Sequence, residues 1–161
     1  MEPAYQVSLR DNGYAVIDGF LEEVKLRQMR DEAAGIVDRY DVADSDTSFF
    51  STLRQEQTTD DRFMRSAAGV ECFFEEGALD AQGRLTVNKA LAVNKIGHAL
   101  HEVPGSSFRD FAESDAVKGI LRTLGYVSPI AVQSMYIMKG AKLGGVVSKH
   151  QDASFLGTGS C

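Results

Sequence analysis

Cysteine is scarce: Cys72 and Cys161 are the only two in 161 residues, too few for a disulfide framework. Both read as free thiols. Cys72 lies in Val70-Glu71-Cys72-Phe73-Phe74 with no histidine near it in sequence, so a small buried apolar role is expected rather than a nucleophilic one. Basic runs are missing too. With 17 Lys+Arg against 23 Asp+Glu and a net charge of −6, the chain lacks the electrostatic footprint of phosphate binding, and nucleic acid is not an expected partner. No apolar run approaches the ~20 residues needed to span a bilayer, so no membrane partner is expected either. The opening Met1-Glu2-Pro3-Ala4-Tyr5-Gln6 has neither the basic start nor the apolar centre of a secretory signal. One domain spanning residues 1–161 in the cytoplasm is the expectation, with peroxisomal import by another route left open.

What is present reads as alternating helices and strands. Asn12-Gly13 is a turn signal, and Tyr14 to Asp18, closed by Gly19, is expected to be a strand. Leu26, Met29, Ala33, Ile36, Val37 and Tyr40 recur at three- and four-residue steps, which predicts an amphipathic helix over Glu22 to Arg39. From Asp41 to Gly69 the composition turns polar and the periodicity stops. Phe49, Phe50, Leu53 and Phe63 are expected to anchor parts of that excursion, and its acidic residues read as solvated surface. Val70 to Glu75 reads as a strand, followed by a turn around Gly77, Asp80 and Gly83. Ser114 is placed to cap a helix over Asp115 to Leu124, with Gly125 after its end. Ile130 to Met138 reads as a strand buried on at least one face.

Two stretches raise the question of metal chemistry. His98 and His101 are three apart and would share a face on a helix, but no carboxylate or cysteine stands at a matching spacing except Glu102, which points sideways from both, so a structural or surface role is expected. His150 and Asp152 are two apart among apolar neighbours; on a strand both point to one side while Gln151 points to the other. An imidazole and a carboxylate so placed form part of a two-His, one-carboxylate iron site, which leaves positions open for a co-substrate and O2. A His-x-Asp triplet also arises by chance in roughly one of every four chains of this composition. A strand-end histidine bonded to its neighbouring carboxylate is the competing reading.

A set of ordered blocks carries a family likeness: Asn12-Gly13-Tyr14-x-Val16-Ile17-x-Gly19-Phe20-Leu21, Phe73-Phe74-Glu75, Asn94-Lys95-Ile96-Gly97-His98-Ala99-Leu100-His101, Gln133-Ser134-Met135-Tyr136-Ile137 and His150-Gln151-Asp152-Ala153-Ser154-Phe155-Leu156. In these blocks the chain resembles the phytanoyl-CoA dioxygenase family as far as about Leu156. The resemblance implies a mixed α+β fold, the N-terminal part of a double-stranded β-helix (jelly roll) with flanking helices. It implies Fe(II), with 2-oxoglutarate and O2 as co-substrates, and oxidative decarboxylation coupled to hydroxylation of a small-molecule substrate. His150 and Asp152 match iron ligands, while Lys95 and Met135, with Gln151 beside the ligands, match the 2-oxoglutarate pocket. Lys95 supplies a cation for a dicarboxylate, and Met135 an apolar wall. On residue type alone, a lysine at a helix start would be solvated and a strand methionine would be core.

The family pattern also includes a distal histidine ligand and a 2-oxoglutarate-binding arginine downstream, and neither follows Asp152 here. Val146 and Lys149 replace an acid and a proline common in the family, and residues 157–161 diverge. The expectation is a shortened, incomplete dioxygenase domain, inactive by itself, with unpaired sheet edges available for self-association. A non-catalytic chain that acts by binding a partner is the alternative.

Overall fold

An antiparallel sheet of three strands in the order β1-β2-β3 carries the site: β1 is Val70–Phe74, β2 is Val93–His98 and β3 is Ser134–Ile137. The structure is a computed structural model and describes residues 2–42, 66–75, 77–140, 143, 147 and 149. Around the sheet lie α1 (Ala4–Asn12), α2 (Glu23–Arg39), α3 (Lys89–Ala92), α4 (Ser107–Ala112) and α5 (Asp115–Thr123). This is the mixed helix-and-sheet composition expected. None of the helices among the described residues is long and apolar enough to cross a membrane.

The α2 stripe packs against one face of the sheet, where Ala33 and Val37 join Cys72, Phe74, Val93, Ile96, Leu100 and Phe108 in a single buried cluster. Tyr136 of β3 closes the cluster edge-on to the Phe108 ring, with centroids 5.8 Å apart. The buried thiol of Cys72 therefore acts as a small apolar group, as its sequence neighbours suggested. Two polar links set the helices around this core. Lys89 Nζ donates to the carbonyls of Asp38 (2.8 Å) and Tyr40 (2.6 Å), meeting orphan carbonyls at the end of α2. Glu32 on α2 accepts from the Ser107 amide (2.8 Å) and hydroxyl (2.6 Å), which fixes the start of α4.

Register decides which side chains face away from that core. Phe73 pairs with Lys95, but the next pair is Phe74 with Val93, so Asn94 is an extra residue in β2. A bulge of this kind resets strand alternation. Val93 consequently joins Phe74 in the core cluster, while Lys95 stays with Phe73 on the opposite face.

Three sequence expectations need correction. Tyr14 to Asp18 forms no strand; Tyr14 and Val16 are exposed, and the segment pairs with no strand among the described residues. Strand propensity has no effect without a partner edge, and here the chain is anchored instead by Phe20 packed edge-on to Phe111, 6.3 Å between centroids. The Asn12-Gly13 signal serves a helix end: Gly13, at φ 79°, follows α1 and its amide donates to Leu9 O at 2.9 Å. The Ile130 to Met138 strand shrinks to Ser134–Ile137, and Ile130 and Val132 stand in solvent. The third correction is the 94–101 stretch, which is mainly strand β2 rather than helix. By contrast, the capped helix after Ser114 forms as read, with Ser114 Oγ accepting from the Val117 amide at 3.3 Å, although its stripe is only half-buried.

Candidate functional site

On the face turned away from α2, Lys95 is only 3% exposed. A lysine is almost never buried to this extent. A strand position opposite Phe73, rather than a solvated helix start, accounts for it. The Lys95 ammonium sits 5.0 Å from the centroid of the Phe73 ring and 3.8 Å from Met135 Sδ. The sheet thus brings together two residues 40 positions apart in sequence. Aromatic face and thioether are soft partners that solvate a cation poorly compared with water. Burial accordingly lowers the Lys95 pKa to about 8, which still leaves most of the amine charged at neutral pH.

Met135 lies opposite Gly97 in the β2–β3 register and is 43% exposed. A Cβ at Gly97 would stand 3.1 Å from Met135 Cγ, closer than side chains ordinarily pack. The missing side chain therefore lets Met135 lie down against β2, next to Lys95.

His98 ends the regular alternation of β2, because the Gly69 carbonyl accepts from two successive amides, His98 at 3.0 Å and Ala99 at 3.1 Å. Its ring lies against Phe73, with centroids 5.2 Å apart, and Nδ1 is 2.7 Å from Ser66 Oγ. Burial and, second to it, the charge on Lys95 lower the His98 pKa to about 4, so the ring is neutral at physiological pH. His101 engages β3 instead, with its Nδ1 2.7 Å from Ser134 Oγ and its amide donating to the same hydroxyl at 3.1 Å. The two histidines do not share a helical face; each holds its own serine, which is the structural role expected of them. Ser66 carried no readable signal, because it falls inside the polar stretch from Asp41 to Gly69, which has no periodicity.

His150, Gln151 and Asp152 lie outside the described residues, as do Cys161 and the anchors Phe49, Phe50, Leu53 and Phe63. Among the described residues no three His, Cys, Asp or Glu side chains converge as metal ligands. One further carboxylate stands out. Glu75, just past β1, is 1% exposed, and neither of its oxygens has a hydrogen-bond partner among the described residues.

A buried ammonium beside a thioether and an aromatic ring, on one face of an antiparallel sheet, has the chemistry of a site for an organic anion. The phytanoyl-CoA dioxygenase (PhyH) family profile matches residues 9–160, and the chain belongs to that family. Similar proteins include a phytanoyl-CoA dioxygenase of Arabidopsis thaliana, 41% identical over 146 residues, covering 91% of this chain and 50% of that protein. Phytanoyl-CoA dioxygenase domain-containing protein 1 of Bos taurus is 38% identical over 162 residues, covering 98% of this chain and 55% of that protein. A homolog of that protein in Caenorhabditis elegans is 37% identical over 146 residues, with 90% and 50% covered. The chain spans about half the length of the curated relatives it matches.

Proposed function

We propose that this chain supplies the co-substrate side of an Fe(II)- and 2-oxoglutarate-dependent dioxygenase site, with its three strands forming the first part of a double-stranded β-helix. The observation that carries the reading is the buried Lys95 ammonium beside Met135. A dicarboxylate needs a cationic contact and apolar walls along its methylenes, and Lys95, Met135 and Phe73 offer both. These residues fit 2-oxoglutarate. Iron would be held by His150 and Asp152, on the strength of the family likeness, with Gln151 near the co-substrate. When bound, the metal and 2-oxoglutarate supply oxidative chemistry that ends in succinate, CO2 and a hydroxylated product. The role of this chain's own residues is to present the anion site: Lys95 offers its charge to a carboxylate, Met135 and Phe73 form the apolar walls, and neutral His98 adds no competing charge.

Calorimetric titration of the chain with 2-oxoglutarate, in the presence and absence of Mn(II) as a stand-in for Fe(II), tests this. Binding that strengthens with metal, weakens with Lys95→Ala and loses its metal dependence with Asp152→Ala is expected. Metal-independent binding, or none, overturns the reading. Succinate formation with Fe(II) and ascorbate then measures turnover.

A second reading, association without catalysis, is favoured by the run after α5, where Val127 is 97%, Ile130 82% and Val132 84% exposed. Exposed apolar residues so close in sequence mark interaction surfaces. Concentration-dependent self-association that disappears when all three become serine supports this reading, and a monomer at every concentration excludes self-association.

A further inference from the structure

Four buried side chains form a continuous series across the pocket face, and only Phe73 and Lys95 at its far end belong to the co-substrate reading as pocket lining. Ser66 Oγ is 2.7 Å from His98 Nδ1; the His98 ring packs on Phe73 at 5.2 Å; the Phe73 ring carries Lys95 Nζ at 5.0 Å from its centroid. All four are 3% exposed or less. From these contacts we infer that Ser66, His98 and Phe73 are positioning residues for the Lys95 ammonium, with Ser66 fixing the His98 ring and His98 fixing the aromatic face on which the ammonium rests.

The physical need is clear from the lysine itself. Its four-carbon stem carries about 2 kcal/mol of rotamer freedom, which an anion must otherwise remove on binding. A ring held from behind removes it in advance. The ring also offers the ammonium an electrostatic partner. His98 suits the supporting position because it is flat, polar at one edge and neutral. A protonated imidazole there would place a second cation against the first, and the lowering of His98 to about 4 keeps that from happening at physiological pH.

Where the ligand is 2-oxoglutarate this inference rests on the function proposed above, but the arrangement of the lysine can be read without any ligand. An aromatic ring shifts the resonances of protons held over its face, so the ε-methylene protons of Lys95 are expected well upfield of those of the solvated lysines in the proton–carbon spectrum of the full chain. Ser66→Ala is expected to reduce that shift by about half or more and to weaken 2-oxoglutarate binding, measured with Mn(II) present, about 3- to 10-fold. Ser66→Thr, which keeps the hydroxyl, is expected to restore both. A loss of general stability would change the melting temperature but not the ring-current shift of the folded protein. Should Ser66→Ala fail to fold, Phe73→Leu supplies the same comparison, since it keeps apolar bulk and removes the ring. An upfield shift that responds to Ser66, in a chain with no 2-oxoglutarate affinity, would uphold the positioning and remove the co-substrate assignment. A Lys95 methylene at the solvated position in the native chain, or a shift indifferent to both Ser66→Ala and Phe73→Leu, would overturn the positioning itself.

Discussion

The two faces of the three-stranded sheet are built from neighbouring residues and follow opposite rules. Cys72, Phe74, Val93 and Ile96 press against α2 in an apolar cluster, whereas Phe73 and Lys95, their immediate neighbours, form a buried polar site with Ser66 and His98, edged by the partly exposed Met135. Both faces exclude water. One gains stability by doing so, since apolar area leaves solvent at roughly 25 cal/mol per Å2. The other loses some, since it holds an ammonium whose burial disfavours the charged form. That difference is what the proposed binding role of this face rests on.

The sharpest way to break this comparison is to damage the core face. Phe74→Ala empties a position at 0% exposure and is expected to cost about 3–5 kcal/mol, enough to unfold much of the population, as read by urea denaturation. A cost under 1 kcal/mol would mean that the face is not a packed core.

Next in size is the acid response of the other face. The unfolded chain takes up a proton on His98 near its ordinary pKa of 6.5, while the folded chain resists until about 4. Between these values the unfolded state binds more protons, so stability falls as pH is lowered through the window, by an amount on the order of 3 kcal/mol at most. Replacing the residue, as in His98→Gln, is expected to flatten the fall between pH 6.5 and 4; an unchanged slope would place the titration elsewhere.

Lys95→Met addresses binding. It removes the buried cation and keeps a flexible apolar stem, so 2-oxoglutarate affinity is expected to drop at least about 10-fold. Unchanged affinity would take Lys95 out of the site.

The smallest effect concerns Gly97. Ala at this position meets Met135 Cγ at 3.1 Å, and the flexible thioether can yield, so stability should change by less than about 1 kcal/mol. Co-substrate affinity should nonetheless fall about 2- to 3-fold, because Met135 is moved away from Lys95. Unaltered affinity would exclude Met135 from the pocket wall.

How legible this was depended on the range of the interactions. The helix over Glu23–Arg39 and the capped helix after Ser114 are local: periodicity and a hydroxyl at the N-cap are visible in a dozen residues. Strand β1 was equally plain from Val70 to Phe74. Tyr14 to Asp18 misled because its β-branched residues advertise a strand, but nothing in a linear reading shows whether a sheet edge lies nearby. Lys95 and Met135 were singled out by family likeness alone, and their residue types argued for solvent and core, respectively. Their pairing at 3.8 Å required the register of β2 and β3.

Local composition by itself determined the helices over Glu23–Arg39 and Asp115–Thr123, strand β1, the buried apolar role of Cys72 and the net charge of −6, because each depends on residues close in sequence or on their sum. Only the tertiary structure decided that Lys95 is buried rather than solvated. The extra residue at Asn94 turns Val93 towards α2 and leaves Lys95 on the far side, with Phe73 beneath it and His98 and Ser66 behind. A side chain's face is set by the pairing of its strand, and pairing joins segments that no local pattern connects.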